Sequence, residues 1–273
     1  LSAQNYGGEA YGSALRLAVT FYGAQRCGNT HNWLILEQNN AYGDSCHMED
    51  GPALREGLDL SGGWHDAGDY LKFSLTTGWA AYSLLKAYDT WPESFADRDS
   101  RDYGGSSNGI PDILDEVKVA TDYLIKLHPD SETMVARVGG SQDHDTWLTS
   151  PYQSTLSVAR GGGKRPVLAG GEADICGICA AALALMATLY EVHDPLYADT
   201  CLAAAESIYE LGGGRQGATD DPDDFYQKSG WKDAMLCGAV ELFRATNQQR
   251  YLQEAKQWNT YQSHGWVMGW SNF

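Results

Sequence analysis

The sequence predicts an all-α protein assembled from stacked helix hairpins. Apolar residues recur at helical spacing in seven segments, the connections between them alternate between short and long, and strand-like alternation is scarce and brief. No Pro/Gly/Ser-rich linker divides the 273 residues, so one domain is expected over 1–273.

The first helix places Tyr11, Leu15, Ala18, Val19 and Tyr22 on one face. A second follows the segment around Thr77 and carries Ala80, Ala81, Leu84, Leu85 and Tyr88. Pro111, expected at a first helical position, announces the third, with Asp112, Asp115 and Glu116 near the positive end of the helix dipole. Its apolar stripe is Ile113, Leu114, Val117, Leu124 and Leu127, and His128-Pro129 stops it. Residues 177–190 are apolar nearly all round, the pattern of a helix buried on every side. Helices over 197–211, 233–245 and 250–258 complete the series. The long connections, 26–76, 97–110, 130–171 and 212–230, are rich in Gly, Asp and Ser, and loops of such length often carry function. Within the last of them Asp220, Asp221, Asp223 and Asp224 read as a solvated acidic run, and Cys176 and Cys179 read as core thiols.

Composition narrows the partners. A net charge of −17, from 36 acidic against 19 basic residues, repels phosphate backbones and argues against nucleic acid. No run of eighteen consecutive apolar residues occurs, so no membrane span is expected. Nine Trp and sixteen Tyr suit a sugar ligand, whose C–H faces pack on aromatic rings. Residues 1–11 are polar and lack the apolar core of a signal peptide.

The sharpest motif is the run GGWHDAGDY over residues 62–70. Asp66 and Asp69, three apart on a glycine-rich loop, can be brought to one side of a turn, where like charges titrate as a coupled pair. Such a pair could hold and deprotonate a water, as glycoside hydrolysis with inversion requires. On its own, D-x-x-D also fits a cap or a solvated turn. Cys27, Cys46, His47 and His65 form a second set, two thiols and two imidazoles suited to tetrahedral zinc. Their spacing is not that of a zinc finger, so a Cys27–Cys46 disulfide with two surface histidines, or four unrelated residues, would also fit.

Context adds to both motifs. The segment LDLSGGWHDAGDYLKF (58–73), preceded by FYGAQR (21–26), resembles family 9 glycoside hydrolases. NGIPDILDE (108–116), KLH (126–128), Asp143-His144, Trp147, Tyr226, residues 229–233 and LFRAT (242–246) follow in that family's order. The resemblance implies an (α/α)6 barrel, about half of it present in this chain. It implies a secreted, extracellular, inverting endo-β-1,4-glucanase acting on cellulose or related β-glucans, with Asp69 as general base and Asp66 as its partner in holding the water. His144, Trp147, Tyr226 and Trp266 would line the sugar cleft. The resemblance also implies a general acid Glu beyond residue 273; within the chain, Glu172, Glu206, Glu210 and Glu241 sit in helical patterns and read as structural or solvated. One branch of the family, often with an appended immunoglobulin-like domain, carries the Cys, Cys-His and His pattern matched here, which implies a structural zinc at Cys27, Cys46, His47 and His65. A carbohydrate-binding module is another expected appendage. Ser229, Gly230 and Asp233 match positions that supply calcium ligands, although Ala234, Ser271 and Asn272 stand where relatives tend to place acids. A glycosidase acting on another β-glycan or oligosaccharide, or a non-catalytic glycan-binding remnant, is the alternative.

Overall fold

The computed structural model describes residues 8–29, 45–97, 107–226 and 230–259. The elements run α1 (Gly8–Gly23), β1 (Lys72–Phe73), α2 (Ser74–Thr90), α3 (Asp112–Lys126), β2 (Val135–Val138), α4 (Ser150–Ser154), β3 (Val167–Ala169), α5 (Ala173–Tyr190), α6 (Pro195–Gly214), α7 (Lys232–Thr246) and α8 (Gln249–Trp258). The predicted hairpins are present. α5 pairs with α6 and α7 with α8, while α5 also packs on α2 and α7.

Local chemistry sets the boundaries. Asp194 caps α6, its carboxylate accepting from the Leu196 and Tyr197 amides at 3.1 Å each, and Pro195 fills the first turn. Pro111 lies one position outside α3, as its N-cap residue, rather than inside the first turn. α7 ends on Asn247 in a left-handed conformation (φ 55°).

The core forms around α5. Its residues from Ala173 to Ala187, together with Tyr190, are buried, Cys176 and Cys179 among them. The helix is long and apolar enough to cross a membrane, but 89% of it is buried inside the protein, so it is the core helix. It begins at Ala173 rather than at residue 177, its first turn closed by Cys176 N donating to Glu172 O at 2.9 Å, and Gly177 lies inside it. A Cβ on Gly177 would lie 2.4 Å from the backbone of α7 at Ala234 and Met235. α1 differs more from expectation. Leu15, Val19 and Tyr22 are half-buried, but Tyr11 and Ala18 of the same predicted face are exposed, as are Leu17 and Phe21.

The long loops hold a small antiparallel sheet in the order β1-β2-β3, with Lys72 opposite Val138, Phe73 opposite Arg137 and Val138 opposite Val167. A bulge falls between Val135 and Arg137. The sheet follows the D-A-G-D loop directly at β1 and precedes His144 at β2, so it brings these two stretches together.

Candidate active site

The loop around Asp66 is tied down on both flanks. Cys27 N donates to Gly63 O at 2.8 Å and His65 N to Gln25 O at 2.7 Å, which lays the end of α1 beside the loop. Below, Glu116 of α3 accepts from Arg26 Nη2 at 2.6 Å and from the Trp64 indole at 2.9 Å. Gly63 is there of necessity. Its φ is 74°, and a Cβ would meet the Tyr123 ring at 2.4 Å. Asp66 N donates to Leu71 O at 2.8 Å, closing a turn that turns both carboxylates to one side, with Tyr70 left-handed at φ 62°.

The two carboxylates have different partners. Asp66 Oδ1 accepts from Thr76 Oγ1 and Oδ2 from Tyr226 Oη, each at 2.5 Å. Burial raises the Asp66 carboxyl above its ordinary value; the two hydroxyls oppose that, and the charge of Asp69 adds to it. The Tyr226 phenol is likewise pushed up, first by burial and then by Asp66, so it remains a donor at neutral pH. Asp69 is buried, its Oδ2 lying 2.7 Å from His144 Nε2. Its Oδ1 has a 3.4 Å contact with Leu71 N. The His144 ring stacks on Phe225, centroids 5.3 Å apart at 27°. Trp147 is 68% exposed, with its ring against Gly68 between the two aspartates. Asp66, Asp69, His144, Trp147 and Tyr226 therefore share one site. Trp266 lies outside the described residues.

The four metal-type residues also converge. Their ligand atoms all lie within 4.8 Å of one another, and all four residues are buried. The sulfurs of Cys27 and Cys46, both free thiols, are 3.8 Å apart; the His47 Nδ1 to His65 Nε2 distance is 3.4 Å. Sulfur–nitrogen distances are 3.7 Å for Cys27–His47 and 3.9 Å for Cys46–His65. A tetrahedron with Zn–S of about 2.3 Å and Zn–N of about 2.0–2.1 Å has edges of roughly 3.8, 3.3 and 3.6 Å for S–S, N–N and S–N. The donor set fits. Burial and the nearby Arg165 depress His47 to about 4, so it is neutral, as a ligand must be. Among the described residues this is the one such group of His, Cys, Asp and Glu, and it does not include Asp233. Gly230 and Asp233 flank the start of α7, while Ser229 lies outside the described residues.

Several site-supporting residues have no pattern in the sequence. Arg165, fully buried, grips Asp50 with Nε and Nη2 at 2.9 and 2.7 Å. Its Nη1 donates to Tyr70 O at 2.8 Å and Asp143 Oδ1 at 3.1 Å, the neighbours of Asp69 and His144. Lys72 shares Asp50 at 2.9 Å and donates to Leu60 O at 2.8 Å. A lone Lys in the run Leu71-Lys72-Phe73 was the available signal for this buried charge. The acidic run is corrected: Asp221 is buried and takes Arg137 in a two-point pair at 2.7 and 2.9 Å, because the neighbouring β2 offers a guanidinium. Thr76 and Phe225 were also missed.

Comparison with known proteins agrees with this arrangement. The sequence profile described as Glycosyl hydrolase family 9 matches residues 11–273. The chain is 31% identical over 278 residues to Endoglucanase 4 of Bacillus sp. (strain KSM-522), covering 96% of this chain and 40% of that protein. Endoglucanase 5 of Arabidopsis thaliana is 32% identical over 271 residues, with the same 96% and 40% coverage. Among solved structures, the cellulase Cel9M of C. cellulolyticum superposes with a TM-score of 0.77 at 30% identity, over 96% of this chain and 58% of that one. The chain thus spans about half the length of the relatives it matches, and its hairpins are those of an (α/α)6 barrel. On the profile match, the shared architecture and the convergence of the D-A-G-D pair with its aromatic neighbours, the chain belongs to glycosyl hydrolase family 9.

Proposed function

We propose that this chain supplies the water-activating part of an inverting endo-β-1,4-glucanase acting on cellulose or a related β-glucan. The observation that carries the reading is the unequal environment of Asp66 and Asp69 beside the exposed Trp147. Thr76 and Tyr226 fix Asp66 as an acceptor for a water proton. Asp69, oriented by His144 through Oδ2, keeps Oδ1 for the same water. As the water oxygen attacks the anomeric carbon, Asp69 takes its proton, and the attack comes from the face opposite the leaving group. Trp147 offers a ring on which a pyranose can stack. That Cel9M was crystallised with cellobiose supports the β-glucan class.

The glycosidic oxygen must be protonated as it leaves. Glu206 and Glu210 pair with Arg250, and Glu241 with Arg244, away from the aspartates. We assign the acid to a Glu beyond residue 273. Cys27, Cys46, His47 and His65 would hold a structural zinc, whose role is to fix the loop entering Asp66. Cellulose is insoluble and lies outside cells, so the enzyme would act as a secreted protein. Proton NMR of the first product from a β-linked cello-oligosaccharide tests the mechanism. The native enzyme releases the α-anomer, and Asp69→Asn lowers the rate at least about 10²-fold. Initial β-anomer, or an active Asp69→Asn variant, overturns the assignment.

A further inference from the structure

Residues 221–226 form a wall beside the two aspartates with no regular secondary structure, and Asp224 and Tyr226 are left-handed at φ 61° and 46°. No backbone ladder fixes such a segment, so side-chain contacts must. Arg137 of β2 supplies them. Its Nε and Nη2 donate to the Asp221 carboxylate at 2.7 and 2.9 Å, and Nη2 also to Asp223 Oδ2 at 2.6 Å. Nη1 donates to Gly139 O at 2.6 Å, and the guanidinium carbon lies 5.2 Å from the centre of the Phe225 ring. The wall then reaches both carboxylates. Phe225 stacks on His144, which holds Asp69, and Tyr226 donates to Asp66. Phe73, opposite Arg137 in the sheet, packs edge-on against both aromatic rings, at 5.6 and 4.9 Å.

We infer that Arg137, through its clamp on Asp221 and Asp223, is a positioning residue for both members of the water-activating pair. It is buried, touches neither Asp66 nor Asp69, and acts through Phe225–His144 on one side and Tyr226 on the other. Its planar fork matters as much as its charge, since a lysine ammonium cannot engage two carboxylates and stack on a ring in one fixed geometry. The inference rests on the glucanase reading above, in which this pair activates water.

The test is steady-state hydrolysis of a soluble cello-oligosaccharide by the native full-length enzyme and five variants. Removing Arg137 alone would strand buried carboxylate charge and threaten the fold. R137Q/D221N removes both charges together, and Asp223→Asn removes one contact at a side chain that is 33% exposed. With an unchanged far-UV spectrum, R137Q/D221N should lose about 10- to 100-fold in kcat, the penalty of a misplaced catalytic group, with KM within about threefold. Asp223→Asn should lose kcat in the same sense by a smaller factor. Tyr226→Phe should cost much less in the R137Q/D221N background than alone, because residues acting through one another are non-additive. Folded variants with native kcat, an unaltered kcat for Asp223→Asn, or a fully additive Tyr226→Phe effect would overturn the inference. Asp69→Asn serves as control: if it remains active the glucanase reading fails, and if it is inactive while R137Q/D221N keeps native kcat only the positioning role fails.

Discussion

Asp115 shows how burial acts on a single carboxyl. It lies under the start of α3, where burial raises its pKa to about 6; the Asn108 amide opposes this at 2.9 Å, and the charges of Asp112 and Asp97 add to it. The folded value exceeds the ordinary carboxylate value of 3.8, so the fold favours the protonated form. The stability gained from that proton is complete below about pH 4 and lost as pH rises through about 6. Asp115→Asn keeps an acceptor for Asn108 without the charge. It should raise Tm at pH 7 by about 2–4 °C, the shift that ~1 kcal/mol produces in a chain of this size, and the gain should vanish at pH 4. Equal melting curves at pH 7 would contradict it. At this scale legibility was uneven. Asp66 and Asp69 stood out because two acids share one glycine-rich motif. Arg165 and Arg137 did not, because their partners Asp50, Asp143 and Asp221 are distant in sequence and only the folded loops make the pairs.

Among the elements, the helices were legible because their apolar stripes repeat within a few residues. The three-stranded sheet was not. β1 is two residues long and β3 three, too short for alternation to register, and the pairing depends on loops folding over the helices. That sheet and the Cys27/Cys46/His47/His65 set fix opposite ends of the loop carrying the aspartates. Metal analysis of the purified protein should find about one zinc per chain, and a strong chelator should lower Tm, since metal bound only to the native state is folding free energy. A metal-free protein with an unshifted Tm would count against it. The same loop concentrates backbone strain: His47 and Tyr70 are non-glycine residues at φ 49° and 62°. Conformations of this kind cost of order 1 kcal/mol each and persist where surrounding contacts over-determine them.

Taken whole, the molecule shows a hydrogen-bonded aspartate pair and a half-buried α1 whose Tyr11 and Phe21 are 68% and 61% exposed. A polypeptide limited to residues 1–273 should release no reducing ends from carboxymethylcellulose, because the proposed mechanism gives Asp69 the water and leaves protonation of the departing oxygen to a Glu beyond residue 273. Turnover by that polypeptide would place the acid within this chain. The α5–α7 crossing bears on how such a molecule can move. At Gly177 and Gly238 main chain meets main chain, a Cβ on Gly238 falling 2.8 Å from Gly177 O. With no side chain between them to change rotamer, the two helices cannot slide past this point without lifting apart, and a close-packed interior resists that. The crossing works as a fixed pivot. Sliding of α5 along α7 is thereby blocked, and relative motion of these two helices is confined to rotation about that point.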